Sequence, residues 1–121
     1  MSHLFKRIDT VFLKVKNFDE AIDWYTDVLG LSVRFRDDKN GYAAIDIGET
    51  PLTLVRTEDH EQIEDEQKVW FNFFCPDIDR AHRHLVNQDV EVGQIYEEGN
   101  IKWFQFKDLE GNPLEVCHFQ E

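Results

Sequence analysis

Residues 107–116 read Lys-Asp-Leu-Glu-Gly-Asn-Pro-Leu-Glu-Val, a polar turn that leads directly into a hydrophobic strand. The strand carries a single carboxylate, Glu115, among apolar neighbours. A shorter version of the pattern occurs earlier in the chain, where the turn at residues 48–51 precedes the strand at residues 52–56. This repetition indicates that one structural unit is present twice, and it makes Glu115 the first candidate for a functional residue.

The two halves of the sequence align over several elements. Residues of the first strand and helix match the second half at a constant offset of 60, and the pairs are Val11 with Phe71, Leu13 with Phe73, Val15 with Cys75, Asp19 with Asp79 and Ala21 with Ala81. Residues 51–54 match residues 113–116 at an offset of 62. Matched strands, helices and turns in the same order favour a duplicated module.

Hydrophobic periodicity predicts the same order of elements in each half. The predicted elements of the first half are a strand, a capped helix and three strands, at residues 10–15, 17–30, 31–36, 42–47 and 52–56. Those of the second half are a strand, a helix and three strands, at residues 69–75, 79–87, 90–96, 101–106 and 114–119. Asn40-Gly41 is typical of a hairpin turn, and Asp77 is a candidate helix cap. The sequence therefore predicts two βαβββ modules.

The composition is typical of one compact domain, with 121 residues, of which 41% are hydrophobic. We expect a single domain over 1–121, with module one at about 8–56, an acidic connection at 57–68 and module two at about 69–119. The 25 acidic and 13 basic residues give a net charge of −12, which disfavours nucleic acid and anionic membranes as partners. Without a long apolar segment or a signal peptide pattern, we expect a cytoplasmic protein. The two cysteines are expected to be small buried hydrophobes.

Two motifs in this duplicated frame resemble those of the vicinal oxygen chelate superfamily, which holds glyoxalase I, extradiol dioxygenases, fosfomycin-resistance transferases and bleomycin-resistance proteins. Residues 21–31, AIDWYTDVLGL, are similar to the "FY..vLG" end of the family's first helix. Residues 108–115, DLEGNPLE, are similar to its "DPDGN..E" turn and strand. The resemblance implies an α+β fold in which the two modules form a curved, barrel-like mixed sheet with helices outside. It also implies a homodimer.

Metal-dependent members of that family place four ligands on the concave face, from the first and last strands of each module. Side chains alternate along a strand, so the positions that correspond here are Thr10, Thr53, Trp70 and Glu115. Only Glu115 keeps a ligand type. A divalent zinc, nickel or iron site needs about three or four nitrogen or oxygen ligands from the protein, so we predict no metal site and no cofactor.

The same alternation predicts an aromatic surface with a few polar groups, as in small-molecule sites. The residues expected there are Thr10, Phe12, Arg34, Thr53, Trp70, Asn72, Phe74, Trp103, Gln105 and Glu115. The simpler interpretation is that these aromatics fill a closed core. Glu115 is the candidate catalytic residue, as a general acid or base, and an ion pair with Arg34 or Lys14 would instead make it structural.

Three functions remain open at this point. The first is a metal-free binding protein like the bleomycin-resistance branch, which sequesters a small ligand, cationic or aromatic, by stacking on Trp70 and Trp103 in a negative field. The second is a glyoxalase-like lyase or isomerase, or a dioxygenase-type metalloenzyme, with an atypical metal site or with acid/base chemistry by Glu115. The third is a protein whose sheets serve only dimer formation or a protein partner.

Overall fold

The computed structural model describes residues 4–57, 69 and 71–121. The chain divides into two compact units, Met1–Glu61 and Gln62–Glu121. Most of the predicted acidic connection, residues 58–68, lies outside the described residues, and so does Trp70. The interpretation as one domain with that connection therefore stays a prediction.

The first unit has the predicted order of one strand, one helix and three strands. Its elements are β1 (Val11–Val15), α1 (Phe18–Asp27), β2 (Ser32–Asp37), β3 (Tyr42–Asp46) and β4 (Leu52–Arg56). The sheet order is β1-β4-β3-β2, with β1 parallel to β4 and the other neighbours antiparallel. Asn17 occupies the N-cap of α1, as expected. The hairpin between β2 and β3 contains the predicted Asn40-Gly41 turn, in which Asp37 accepts from the Asn40 backbone N–H at 3.2 Å.

The second unit repeats this topology. Its elements are β5 (Phe73–Phe74), α2 (Ile78–Asn87), β6 (Tyr96–Glu98), β7 (Ile101–Lys107) and β8 (Pro113–His118). The sheet order is β5-β8-β7-β6, with β5 parallel to β8. Asp77 caps α2 by accepting from the Arg80 backbone N–H at 3.1 Å. The predicted fold class is thus confirmed: the chain is α+β, with two βαβββ modules whose sheets are curved.

Two predicted strands are shorter or shifted in the structure. Within the described residues, the strand expected at 69–75 is reduced to Phe73–Phe74, and Pro76 marks its C-terminal limit. The strand expected at 90–96 contributes only an isolated bridge between Val92 and Phe106, and β6 begins at Tyr96. Between the Val92–Phe106 bridge and the Tyr96–Trp103 pair, the strand register along β7 shifts by one residue, which marks a bulge.

Each helix covers one face of its own sheet. In the first module, residues of three strands pack under α1 and are buried: Leu13, Val15, Ala43, Ile45, Leu52 and Leu54. In the second, the buried residues under α2 are Phe104, Phe106, Leu114 and Val116, with Ile78 and Leu85 from the helix. Burying each of the valine, leucine, isoleucine and phenylalanine side chains among them contributes about 1.5–3 kcal/mol. The opposite face of each sheet, which we call the open face of that module, carries the candidate site residues.

A bulge in β2 changes the face on which Phe35 lies. Simple alternation places Val33 and Phe35 together, but the register shifts between them, so that Phe35 opposes Ala44 and Arg36 opposes Ala43. The Arg36 guanidinium then lies 5.5 Å from the ring centre of Phe18, on the helix side. Phe35 instead reaches the open face, where 58% of it is exposed.

The turn before β8 is built around one buried carboxylate. Asp108 Oδ1 accepts from the backbone N–H groups of Glu110 and Asn112, both at 2.9 Å. Its second oxygen accepts from the Asn112 side-chain amide at 2.9 Å. Gly111 has a φ of +83°, a conformation that favours glycine. This turn fixes where β8 begins and therefore where Glu115 lies.

Candidate functional site

The open face of the second module is organised in three rows that run across its strands. The strand register and the backbone bonds of residues 91–93 define the members. The ion-pair row contains Pro113, Lys107 and Glu91. The carboxylate row contains Asn72, Glu115, Gln105 and Gly93. The aromatic row contains Phe74, Cys117, Trp103 and Tyr96.

Glu115 lies in the middle of the carboxylate row between two amides. Its Oε2 accepts from Asn72 Nδ2 at 3.2 Å, and its Oε1 accepts from Gln105 Nε2 at 3.4 Å. Within the part of the chain that the structure describes, no lysine or arginine forms an ion pair with it. The carboxylate is partly exposed and oriented by neutral donors, so its negative charge is available to a ligand.

The aromatic row lies beside the carboxylate row. Trp103 stacks on Tyr96 with ring centres 5.8 Å apart and planes 26° apart. At the other end of the row, the Phe74 ring packs against Phe119 at 4.9 Å. Because Trp103 and Gln105 are alternate residues of one strand, the indole lies next to the carboxylate row.

Cys117 occupies the centre of the aromatic row. Both cysteines are free thiols of intermediate exposure, so the expectation that they are small buried hydrophobes is wrong. Desolvation raises the pKa of the Cys117 thiol, and the negative charge of Glu115 raises that pKa further. The thiol therefore stays protonated at neutral pH.

A cavity of about 230 Å³ lies at the end of the carboxylate row. It is lined by Glu91, Val92, Gly93, Gln105, Phe106, Lys107 and Pro113. Lys107 Nζ and Glu91 Oε2 form an ion pair of 3.2 Å at its edge. The cavity thus adjoins the amide that orients Glu115.

On the open face of the first module, polar side chains form hydrogen bonds with each other and with the backbone. The hydroxyls of Thr10 and Thr53 lie 2.6 Å apart, and Thr10 also donates to the Pro51 carbonyl at 3.0 Å. Arg34 donates to Asp46 through Nε at 3.1 Å and to the Gly48 carbonyl at 2.6 Å. Arg34 is therefore a partner of Asp46 on its own sheet.

The predicted site residues fall into separate groups. In the second module the structure brings Asn72, Gln105 and Glu115 together, with Trp103 and Phe74 in the adjacent row. In the first module it brings Thr10 and Thr53 together, and Phe12 lies opposite Thr53 and is 53% exposed. Trp70 lies outside the described residues.

Sequence reasoning missed four residues of the open faces. Phe35 and Gly93 were missed because bulges shift the register, and a bulge leaves no clear trace in hydrophobic alternation. Tyr96 was missed because it was placed at the end of a strand that in fact begins there. Cys117 was interpreted as core, although its two-residue spacing from Glu115 indicates the same face.

The residues at the four family ligand positions do not fit a divalent metal. Thr10 and Thr53 supply neutral hydroxyls that are bonded to each other. Glu115 is a single carboxylate held by amides. Within residues 4–57, 69 and 71–121, no group of three His, Cys, Asp or Glu side chains is placed to hold a metal ion. This donor set is unlike the ligands of known catalytic metal centres.

Comparison with known proteins identifies the family. The model of the Glyoxalase/Bleomycin resistance protein/Dioxygenase superfamily matches residues 7–116. The chain belongs to this superfamily. The uncharacterized protein YraH of Bacillus subtilis (strain 168) is 25% identical to this chain. The alignment covers 86% of this chain and 91% of YraH.

Solved structures of superfamily proteins share the fold. A glyoxalase family protein from Bacillus anthracis has a TM-score of 0.80 at 21% identity, covering 99% of this chain and 100% of that one. The antibiotic-binding protein TnmS3 from Streptomyces sp. CB03234 has a TM-score of 0.82 at 15% identity, covering 98% and 100%. Lactoylglutathione lyase from Agrobacterium tumefaciens has a TM-score of 0.73 at 20% identity, covering 96% of each chain. These likenesses establish the superfamily fold and leave the chemistry to the site residues.

Neither of the two described helices, each ten residues long, is long and apolar enough to cross a membrane.

Proposed function

We propose that this superfamily member binds a small cationic aromatic molecule on the open face of its second module and sequesters it without a metal. One observation carries the proposal: the Glu115 carboxylate is held by two amides and lies beside the stack of Trp103 on Tyr96. An aromatic cation can place its ring against the indole while its charge meets the carboxylate. Cation–π contacts of this kind contribute about 0.5–2 kcal/mol.

Two further observations support this ligand class. The net charge of −12 raises the local concentration of cations around the protein. TnmS3, which shares the fold, is described as an antibiotic-binding protein. A cytoplasmic location and a homodimer remain predictions from the sequence and the family resemblance.

A glyoxalase-like reaction is the alternative, because a positioned carboxylate can also take a proton from a bound substrate. We favour binding without catalysis because the contacts of Glu115 among the described residues are two amide donors, with no second acid or base paired with it. In a lyase or isomerase, an acid or a cation stabilises the charge that develops on the substrate when a proton is removed. The two functions are distinguished by whether the bound molecule is recovered unchanged.

The test is calorimetric titration with the N-methylquinolinium ion, a minimal aromatic cation. We expect Glu115→Gln, which keeps the shape and removes the charge, to weaken binding about tenfold, equivalent to about 1.4 kcal/mol. Glu97→Gln is the matched control, because Glu97 lies on β6, opposite Lys102 of β7 in the strand register, and is outside the three rows. We expect this control to bind as the unmodified chain does.

Two results would contradict the proposal. The first is absence of binding to the unmodified chain, or equal affinity of the Glu115→Gln variant. The second is recovery of a chemically altered quinolinium after incubation, detected by mass spectrometry, which would favour the enzymatic alternative.

A further inference from the structure

Gly93 differs from the other glycines of the chain in its backbone conformation. The chain has six glycines, and five of them have a positive φ, namely Gly30, Gly41, Gly48, Gly99 and Gly111. Turns explain a glycine at those positions. Gly93 has an ordinary φ within an extended segment, so its backbone does not require a glycine. Glycine within a strand often marks a place where another group approaches closely.

A Cβ at Gly93 would have few neighbours, and the Gly93 backbone is held by hydrogen bonds. A Cβ at this position would meet only the Gln105 backbone, with the carbonyl oxygen at 3.4 Å, an ordinary contact distance. The Gly93 N–H donates to that same carbonyl at 2.7 Å. On its other side, His82 Nε2 lies 2.9 Å from the Gly93 carbonyl, to which it donates. Because Gly93 has no side chain, there is free space beside a backbone segment that hydrogen bonds hold in place.

This room forms part of the cavity of about 230 Å³ beside the carboxylate row. The ion pair of Glu91 and Lys107 leaves the edge of the cavity without net charge. Gln105 directs its nitrogen to Glu115, which leaves its amide oxygen as an acceptor for a neighbouring group. The cavity is therefore suited to a neutral group with a hydrogen-bond donor, and it is poorly suited to a second cation.

We propose that Gly93 determines ligand specificity: by lacking a side chain it admits a neutral, hydrogen-bonding arm of the ligand into the cavity next to Gln105. The inference rests on the proposed function, since the arm belongs to the aromatic cation bound at Glu115 and Trp103. One ligand can reach both places, because Trp103 and Gln105 are separated by about 7 Å along one strand. A short arm on the aromatic ring spans that distance.

The experiment compares two probes, the N-methylquinolinium ion and the N-(carbamoylethyl)quinolinium ion, which adds a neutral amide arm to the same cation. We expect the unmodified chain to bind the second probe about tenfold more tightly, as for a small group that fills a matching pocket. Gly93→Leu fills the cavity and is expected to abolish this preference, so that the variant binds the two probes with equal affinity. Gly93→Ala is expected to give an intermediate preference.

Gln94→Leu serves as the control, because Gln94 is exposed and does not line the cavity. It should retain the tenfold preference, and the melting temperature of each variant shows that the fold is intact. If both probes bind the unmodified chain equally, or if Gly93→Leu keeps the preference, the role of Gly93 is wrong while the proposed function stands. If neither probe binds the unmodified chain, the proposed function fails and the inference fails with it.

Discussion

The two modules use equivalent positions on their open faces for different purposes. The central row of the first module contains Phe12, Thr53, Ala44 and Phe35, and the corresponding row of the second contains Asn72, Glu115, Gln105 and Gly93. In the first module, the polar groups near this row bond to each other, as in the Thr10–Thr53 pair. In the second, neutral amides orient one carboxylate whose charge has no cationic partner among the described residues.

This difference shows that two modules with the same strand register can use their open faces for different functions. After duplication, both modules kept the buried faces that pack under their helices. Of the central rows, Thr53 is buried, whereas Phe12, Phe35 and Gln105 are exposed, and substitutions at exposed positions change stability little. The first module could thus become structural support while the second kept a charged group for binding.

The largest expected effect concerns the turns before the last strand of each module. Asp108→Ala removes a buried carboxylate that accepts three hydrogen bonds, and the buried donors lose their partner. We expect a loss of about 3 kcal/mol in the free energy of unfolding, measured by denaturant titration. Glu49→Ala, in the exposed turn of the first module, is the matched control and should change stability by less than about 0.5 kcal/mol. Equal losses would show that the turns do not differ in this way.

A second prediction distinguishes residues that stabilise the first module from residues that bind ligand on the second. Thr53→Val keeps the side-chain shape but removes a hydroxyl that is bonded to Thr10, so we expect a loss of about 1 kcal/mol in stability and unchanged quinolinium binding. Glu115→Gln should do the reverse, with weaker binding and a stability within about 0.5 kcal/mol of the original. Both quantities are measured on the same preparations by chemical denaturation and calorimetry. If Thr53→Val weakens binding as much as Glu115→Gln does, the division of roles is wrong.

The smallest expected effect concerns Cys117. The negative charge of Glu115 contributes to raising the pKa of this thiol, so removal of the charge in Glu115→Gln lowers the pKa and increases the thiolate fraction at a given pH. We expect alkylation of Cys117 by iodoacetamide at pH 8 to become faster by about two- to fivefold, since only the thiolate reacts. A Cys75→Ser background restricts the measurement to Cys117. A slower or unchanged rate would mean that Glu115 exerts no such influence.

Much of the fold could be predicted because its determinants are local in the sequence. The hairpin at Asn40-Gly41, the cap at Asp77 and the turn at Gly111 each depend on a few adjacent residues. Alternation also places Glu115 and Gln105 on one face. The bulges near Phe35 and Gly93 could not be predicted, because they depend on how a whole strand fits its neighbours. Nor does the sequence show that Arg34 pairs with Asp46, since that choice is made in three dimensions.

The short strand β5 has a consequence for how the site opens. Within the described residues, Phe73 and Phe74 pair with β8 and the Cys75 N–H donates to the Cys117 carbonyl at 2.9 Å, so fewer residue pairs join β5 to β8 than join β7 to β8. Short edge elements exchange their amide hydrogens through local opening well below the global unfolding free energy. Asn72 lies directly before β5 and donates to Glu115. We therefore expect transient fraying of β5 to release one of the two amides from the carboxylate while the rest of the module stays folded.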